Sequence, residues 1–368
     1  MKTVLDNNGA ITREESKYLQ GIAILMMLYH HLFSTPEALG TDYFSVLNFG
    51  NLNIELHMAW FFKICVGIYA FITGYGLIKA CEIKKLSDDG IVKCFFGTCE
   101  TVLKKLFSFY SLYWLVFIIF VPIGFLFFDR SFDFKELILN FLGIKATYNG
   151  AWWYVLQYLK MLISFPFIYV LLQKYKDIKS KIIYIIYLIF IVLVCLIGLL
   201  WFKAYLLLFI DFWQPAFYLC FISGIILAKF KVFEYFYGTV SLFKNSKLLL
   251  KILGILAIVL VIAARVKIAK DASSAGLDFI FVPVFCYGAV LCFKQFSSTF
   301  LGNILNSVWN FFGKYSTFIW LTHVFFYDHY AKKIVMASHF STGIYLTLLL
   351  LSTLTAMALS KLVKISKH

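Results

Sequence analysis

Leu56–Lys79, LHMAWFFKICVGIYAFITGYGLIK, has only two charged residues, Lys63 inside it and Lys79 at its end. As a helix rising 1.5 Å per residue, it is about 36 Å long, enough to cross a hydrocarbon core of about 30 Å. The rest of the chain has the same character. Of its 368 residues, 62% are hydrophobic and 14% charged. Soluble domains carry roughly 25% charged residues, so this chain has too little polar surface to face water all round. The 42 Phe and 23 Tyr suit a helical membrane protein with aromatic anchors at both interfaces.

Nine further stretches read as spans, near 18–35, 106–128, 151–173, 181–201, 211–228, 248–265, 277–293, 308–327 and 341–363. The fold expected is all-α: a polytopic helical bundle of about ten spans forming one domain over 1–368. The apolar segment 137–144 is too short to cross and reads as an amphipathic or re-entrant piece. The first span starts late, contains two His and has no small-residue cleavage site behind it, so it reads as a retained span. The longest connections are 36–55, 80–105, 129–150 and 229–247, too short for an attached soluble domain.

Charge sets the expected orientation. With edge residues counted in the adjoining loops, 22 of the 34 Lys and Arg fall on the N-terminal side of the membrane and 9 on the other. This bias places both termini in the cytoplasm of a multi-pass plasma-membrane protein. It also explains the net charge of +15 without a polyanionic partner, and no nucleic-acid-binding motif is present. The eight Cys include no CxxC pair, so zinc or dithiol redox chemistry is not indicated and no metal is expected.

Polar residues inside spans are costly and become the functional candidates. Counting the helical rise along the expected directions places His31, Lys63, Gln157, Tyr158, Lys160 and His323, from four different spans, in the outer half of the membrane. Neutral imidazole can take a proton from a hydroxyl near pH 7. No Gly-x-Ser-x-Gly elbow is present, so direct transfer with a His base is simpler than a covalent serine route. His30 and His31 point about 100° apart on a helix, so only one of them faces a buried site.

Four blocks in order resemble the acyltransferase-3 family of integral membrane O-acyltransferases. Leu19-Gln20-Gly21-Ile22-Ala23 through His31 is similar to its opening helix, where Arg, ten residues and His recur; here Gln20 stands at the Arg position and His31 at the His. Val66–Tyr75 resembles an aromatic run ending in Ser-Gly-Tyr, with Thr73 for Ser. Trp152-Trp153-Tyr154-Val155 with Pro166, and Ser316–Ile319 with Leu321 and His323, resemble two later blocks. The resemblance implies transfer of an acetyl or other acyl group from cytoplasmic acyl-CoA to a hydroxyl of an extracytoplasmic polysaccharide or envelope glycan.

On that expectation, His31 is the general base, His323 orients the acceptor or stabilises charge, and Lys63 stabilises the oxyanion. Gln20, Gln157 and Tyr158 line the substrate path, and Trp152 and Trp153 stack on a sugar. Lys84 and Lys85, in a basic cluster with Lys93, Lys104 and Lys105, hold the phosphates of acetyl-CoA. The alternative from another class is a glycan or metabolite transporter or flippase using the same His and Lys. The orientation is testable: a cytoplasm-active reporter fused after His368 should be active, and a reporter active only in an extracytoplasmic format would overturn the topology.

Overall fold

The structure, a computed structural model, describes residues 9–35, 43–49, 52–86, 90–173, 213–268, 276–297 and 299–365. In chain order it runs α1 (Arg13–Phe33), a hairpin of β1 (Asn48–Phe49) and β2 (Leu52–Asn53), α2 (Ile54–Phe62), α3 (Ile64–Ile83), α4 (Ile91–Phe127) and α5 (Phe134–Phe141). A 3-10 turn (Gly150–Trp152) leads into α6 (Trp153–Gln173). Then come α7 (Trp213–Lys229), α8 (Val232–Ser241), α9 (Ser246–Ile268), α10 (Asp278–Phe296) and α11 (Phe300–Val324). A π-helical segment (Phe325–Tyr330), α12 (Lys332–Met336) and α13 (Ser341–Ile365) complete it.

Among the described residues, six helical stretches are long and apolar enough to cross a membrane: Ile54–Ile83, Ile91–Phe127, Gly150–Gln173, Ser246–Lys267, Asp278–Phe296 and Ser341–Val363. They coincide with six of the ten expected spans. The bent pair Ala216–Lys229 and Val232–Ser241, 54° apart, gives a seventh if taken as one span. The expected span 181–201 and the first residues of 211–228 lie outside the described residues, as does most of the 266–276 connection. The first and ninth expected spans are helical as α1 and α11, but these are less apolar. They carry Gln20, His30 and His31 on one and Asn303, Asn306, Asn310 and His323 on the other.

The expected loop 80–105 is mostly helix. α3 continues to Ile83 and α4 begins at Ile91, with seven residues between. α4 is about 55 Å long at helical rise, well beyond the hydrocarbon core, so its Lys-bearing first turns lie beyond the apolar part. Lys and Glu are good helix formers, and nothing between residues 91 and 105 breaks the helix. The short apolar segment is α5, capped by the Asp133 carboxylate accepting from Glu136 N at 3.1 Å.

The described residues form two compact units, each drawn from separate chain segments. The first is made of the described residues within 1–19, 66–101 and 164–308. In it α3 and α7 touch backbone to backbone: a Cβ on Gly74 would lie 2.2 Å from the Phe221 carbonyl oxygen, and one on Gly224 2.1 Å from that of Phe71. Fully buried Arg265 forks onto Asp278, with Nε–Oδ1 at 2.8 Å and Nη2–Oδ2 at 3.1 Å, and so fastens the end of α9 to the start of α10. Along the outside of α9, Leu248, Ile252, Ile255, Val259 and Leu260 are exposed, as a lipid-facing helix requires.

The second unit comprises 20–65, 102–163 and 309–368. Three aromatic donors from little more than one turn of α4 cap the C-terminal carbonyls of α5. Tyr113 donates to Asn140, Trp114 to Phe141 at 3.0 Å and Tyr110 to Leu142 at 2.8 Å. Phe44 bridges to the turn before α13: its N–H donates to His339 O at 2.8 Å, and its carbonyl accepts from Ser341 N at 3.1 Å.

The tightest approach in this unit is between α1 and α11. A Cβ on Gly21 would lie 1.8 Å from the Trp309 carbonyl oxygen and 3.0 Å from Gly313 N. Both neighbours are backbone, so they cannot rotate away. Gly21→Ala should therefore cost at least about 2 kcal/mol as an overpacked helix contact. Gly76→Ala, with nothing within 4 Å of the added Cβ, should be neutral or stabilising by up to about 1 kcal/mol. Thermal unfolding of the detergent-purified proteins checks the pair, and a Gly21→Ala protein as stable as wild type would remove the contact.

Candidate active site

His31 and His323 meet. His31 Nδ1 lies 2.7 Å from His323 Nε2, and the rings stack at 4.9 Å between centroids and 21° between planes. The two residues belong to α1 and α11. The spacing follows from the glycine contact: His31 lies ten residues beyond Gly21, and His323 ten beyond Gly313. Equal steps of about 15 Å in the same sense mean that the two helices run parallel and touch at both levels.

The bonding pattern assigns the protons. His323 Nδ1 faces two carbonyls of its own helix, Trp320 O at 2.8 Å and Ile319 O at 3.2 Å. Carbonyls only accept, so this nitrogen carries hydrogen. In the neutral ring Nε2 is then the acceptor, so the bond between the histidines is donated by His31 Nδ1. His31 Nε2 is left with a free lone pair, as a general base requires.

His30 faces elsewhere, as expected from the helix geometry. Its Nδ1 donates to Ala59 O on α2 at 2.8 Å. Lys63 sits at the break between α2 and α3, half-buried. Of the expected residues, the structure brings His31 and His323 into direct contact.

The others are spread more widely. Gln20 is half-buried on α1, eleven residues and about 16 Å along the axis from His31. Trp152 is fully buried, not at an open mouth, and Tyr113, Phe117 and Phe325 pack around its ring. Its indole N–H donates to Leu321 O at 3.1 Å. Trp153 is half-buried, edge-on to Tyr154. Gln157 is buried one turn further along α6; Tyr158 is half-buried, with its ring 5.0 Å from that of Phe109. Lys84 and Lys85 are exposed in the first unit, and the Lys84 amine donates to Thr101 Oγ1 at 3.0 Å and pairs with Glu100 at 3.8 Å. Among the described residues no group of three or more His, Cys, Asp or Glu could hold a metal ion.

Asn149 was not singled out in the sequence, yet it fixes the register of the site. Its Oδ1 accepts from Ala151 N at 3.0 Å, and its Nδ2 donates to Leu321 O at 3.1 Å. Trp320 Nε1 returns a bond to Ala151 O at 3.3 Å. Together with the Trp152 bond, these tie the start of α6 to α11 two residues before His323. Asn before Gly at a helix start was the available signal, since such residues cap helices. The π-helical segment begins two residues after His323 and holds Tyr327 beside it, a second feature not read from sequence.

The family model described as an acyltransferase domain, Acyl_transf_3, matches residues 13–361. The chain therefore belongs to the acyltransferase-3 family: it is a membrane acyltransferase, and the resemblance read from the four sequence blocks holds. No curated protein and no solved structure matches it.

Asn149→Ala should cost about 1–3 kcal/mol, because it unmakes a cap and leaves a buried carbonyl short of a donor. The lowered thermal midpoint should be accompanied by reduced acyl transfer, since α11 is released next to His323. Full activity in a destabilised Asn149→Ala protein would show that the clamp does not position that ring.

Proposed function

We propose that this enzyme transfers an acyl group, most simply acetyl, from cytoplasmic acyl-CoA to a hydroxyl of an extracytoplasmic glycan or related envelope acceptor, acting in the plasma membrane with His31 as general base. One observation carries the reading: the 2.7 Å bond between His31 Nδ1 and His323 Nε2, which leaves His31 Nε2 as the free proton acceptor.

On this reading His31 Nε2 takes the acceptor hydroxyl proton as the oxygen attacks the acyl carbon. The carbon–sulfur bond then breaks, and His31 returns the proton to the departing sulfur. His323 was expected to orient the acceptor or stabilise charge; its contact with His31 supports the role of a positioning residue that holds the tautomer and ring plane of His31. Lys63 offers positive charge to the carbonyl oxygen as it becomes an oxyanion.

Trp153, Gln157 and Tyr158 are the residues proposed for the acceptor. Trp152 supports them from behind as a packed anchor, since neither of its faces is open to a sugar. Gln20 takes the family's Arg position on the donor side. Lys84 and Lys85 are proposed to meet donor phosphates. Their support is exposure and charge, with Lys85 freer than Lys84 to take up an anion.

Loss of a general base costs on the order of 10²–10⁴ in rate. His31→Ala should therefore abolish acyl transfer while the protein still accumulates in membranes. His30→Ala loses only a bond to Ala59 O and should keep a substantial fraction. Mass spectrometry of envelope glycans from cells producing each variant reads the outcome and identifies both the group and its acceptor. A silent His30→Ala with an active His31→Ala would exchange the two roles.

A further inference from the structure

Tyr327 lies in the π-helical segment directly after α11, with its ring 5.9 Å from that of His323 at 26° and 6.5 Å from that of His31 at 45°. It is the next residue on the His323 face, four positions on, so it covers the histidine pair from the C-terminal side. Elsewhere in the segment Asp328 is exposed, with His329 beside it at 4.0 Å, and Phe325 and Tyr330 are held by packing. Tyr330 donates to Phe120 O at 2.7 Å and stacks on Phe128, while Phe325 stacks on Phe120. The Tyr327 hydroxyl has no hydrogen-bond partner among the described residues, although the ring is half-buried. A π-helical turn adds a residue to the helical repeat at some cost in backbone packing, and such turns recur where a side chain must be re-aimed at a site.

We infer that Tyr327 is a further catalytic residue: its hydroxyl donates a hydrogen bond to the acyl carbonyl oxygen of the reacting group, opposite the base. The inference rests on the proposed function. His31 Nε2 takes the acceptor proton, the new carbon–oxygen bond forms, and the acyl oxygen gains negative charge. On this inference the Tyr327 O–H meets that charge, with Lys63 as the proposed source of positive charge. The phenol keeps its proton throughout, so the step needs no further acid or oxidant. The carbon–sulfur bond breaks as the carbonyl re-forms, and the thiolate leaves with the proton held by His31. The neighbouring imidazoles cannot serve as this donor. The hydrogen on His31 Nδ1 is committed to His323, and that on His323 Nδ1 to the Ile319 and Trp320 carbonyls.

The test uses the full chain in inside-out membrane vesicles from the producing cells, which carry their own acceptor. Radiolabelled acetyl-, propionyl- and succinyl-CoA are the donors, and label entering the acceptor fraction is followed. Removing one oxyanion donor costs on the order of 10²–10³ in kcat. Tyr327→Phe should lower kcat by that factor with donor KM changed by less than about threefold and the thermal midpoint unchanged, a split that a merely structural role would not give. Placing p-aminophenylalanine at 327, which keeps a donor at the ring's far end, should recover a large part of the rate. If Tyr327→Phe fails to accumulate, p-aminophenylalanine is compared with p-methylphenylalanine, two substituents of similar size of which only one donates.

A kcat within threefold of wild type in Tyr327→Phe, or equal rates in the amino and methyl pair, overturns the inference. His31→Ala separates this from failure of the underlying reading. If His31→Ala is inactive and Tyr327→Phe is not, the inference alone falls. If His31→Ala transfers normally, or the wild-type chain uses none of the three donors, the reading falls and the inference with it.

Discussion

α1 and α11 nearly touch at Gly21, and that contact holds the two parallel helices close enough for their histidines to bond. The Trp309 carbonyl occupies the space that any side chain there would need. Lipid gives little hydrophobic reward for pressing one apolar helix on another, so close packing at small residues has to supply the attraction. Once the helices meet at Gly21 and Gly313, regular helical rise carries ten residues on each to the same level, and His31 meets His323. The geometry of the histidine pair thus depends on a contact about 15 Å away that contains no chemistry of its own.

A second constraint holds α11 in rotation. A helix fixed at one point can still turn about its axis, which would swing His323 away. The Asn149, Trp152 and Trp320 bonds around Leu321 and Ala151 block that rotation. The π-helical turn follows at once, so the helix changes pitch immediately after the fixed point. Rigidity before His323 and a locally re-aimed backbone after it together place Tyr327 over the pair.

Much of the fold was legible because lipid imposes a simple rule on composition. A 20-residue apolar run is visible in sequence, and the six described helices long and apolar enough to span all fall on expected spans. α4 was harder to read: its Lys-rich first turns look like a positive cytoplasmic loop, yet Lys is compatible with helix and the charge pattern alone does not tell the two apart. The separate directions of His30 and His31 were legible from the 100° step between neighbours. The Asn149 clamp was not, because its acceptor is a backbone carbonyl and every residue has one. Trp152 was misplaced for a related reason: a tryptophan at the start of a span looks the same in sequence whether it faces a glycan or a core. The meaning of Gly21 depended on a partner almost three hundred residues away.

The chemistry of orientation fits the surroundings. In water-soluble triads a buried carboxylate usually orients the histidine, and it brings a full negative charge that the site must solvate. Inside a membrane such a charge is expensive, and a mismatch with its partner leaves it uncompensated. Here the chain runs from the Ile319 and Trp320 carbonyls to His323 and then to His31, with no formal charge in it at rest. The carbonyls already belong to a helix and cannot dissociate, so the His323 tautomer is set by covalent neighbours three and four residues back. When His31 takes a proton, the positive charge is met by a neutral imidazole lone pair and not by an anion. The imidazolium is therefore stabilised less than in a carboxylate triad and gives its proton up more readily. On the proposed mechanism, in which His31 passes its proton to the departing sulfur within the same turnover, that weaker hold is an advantage.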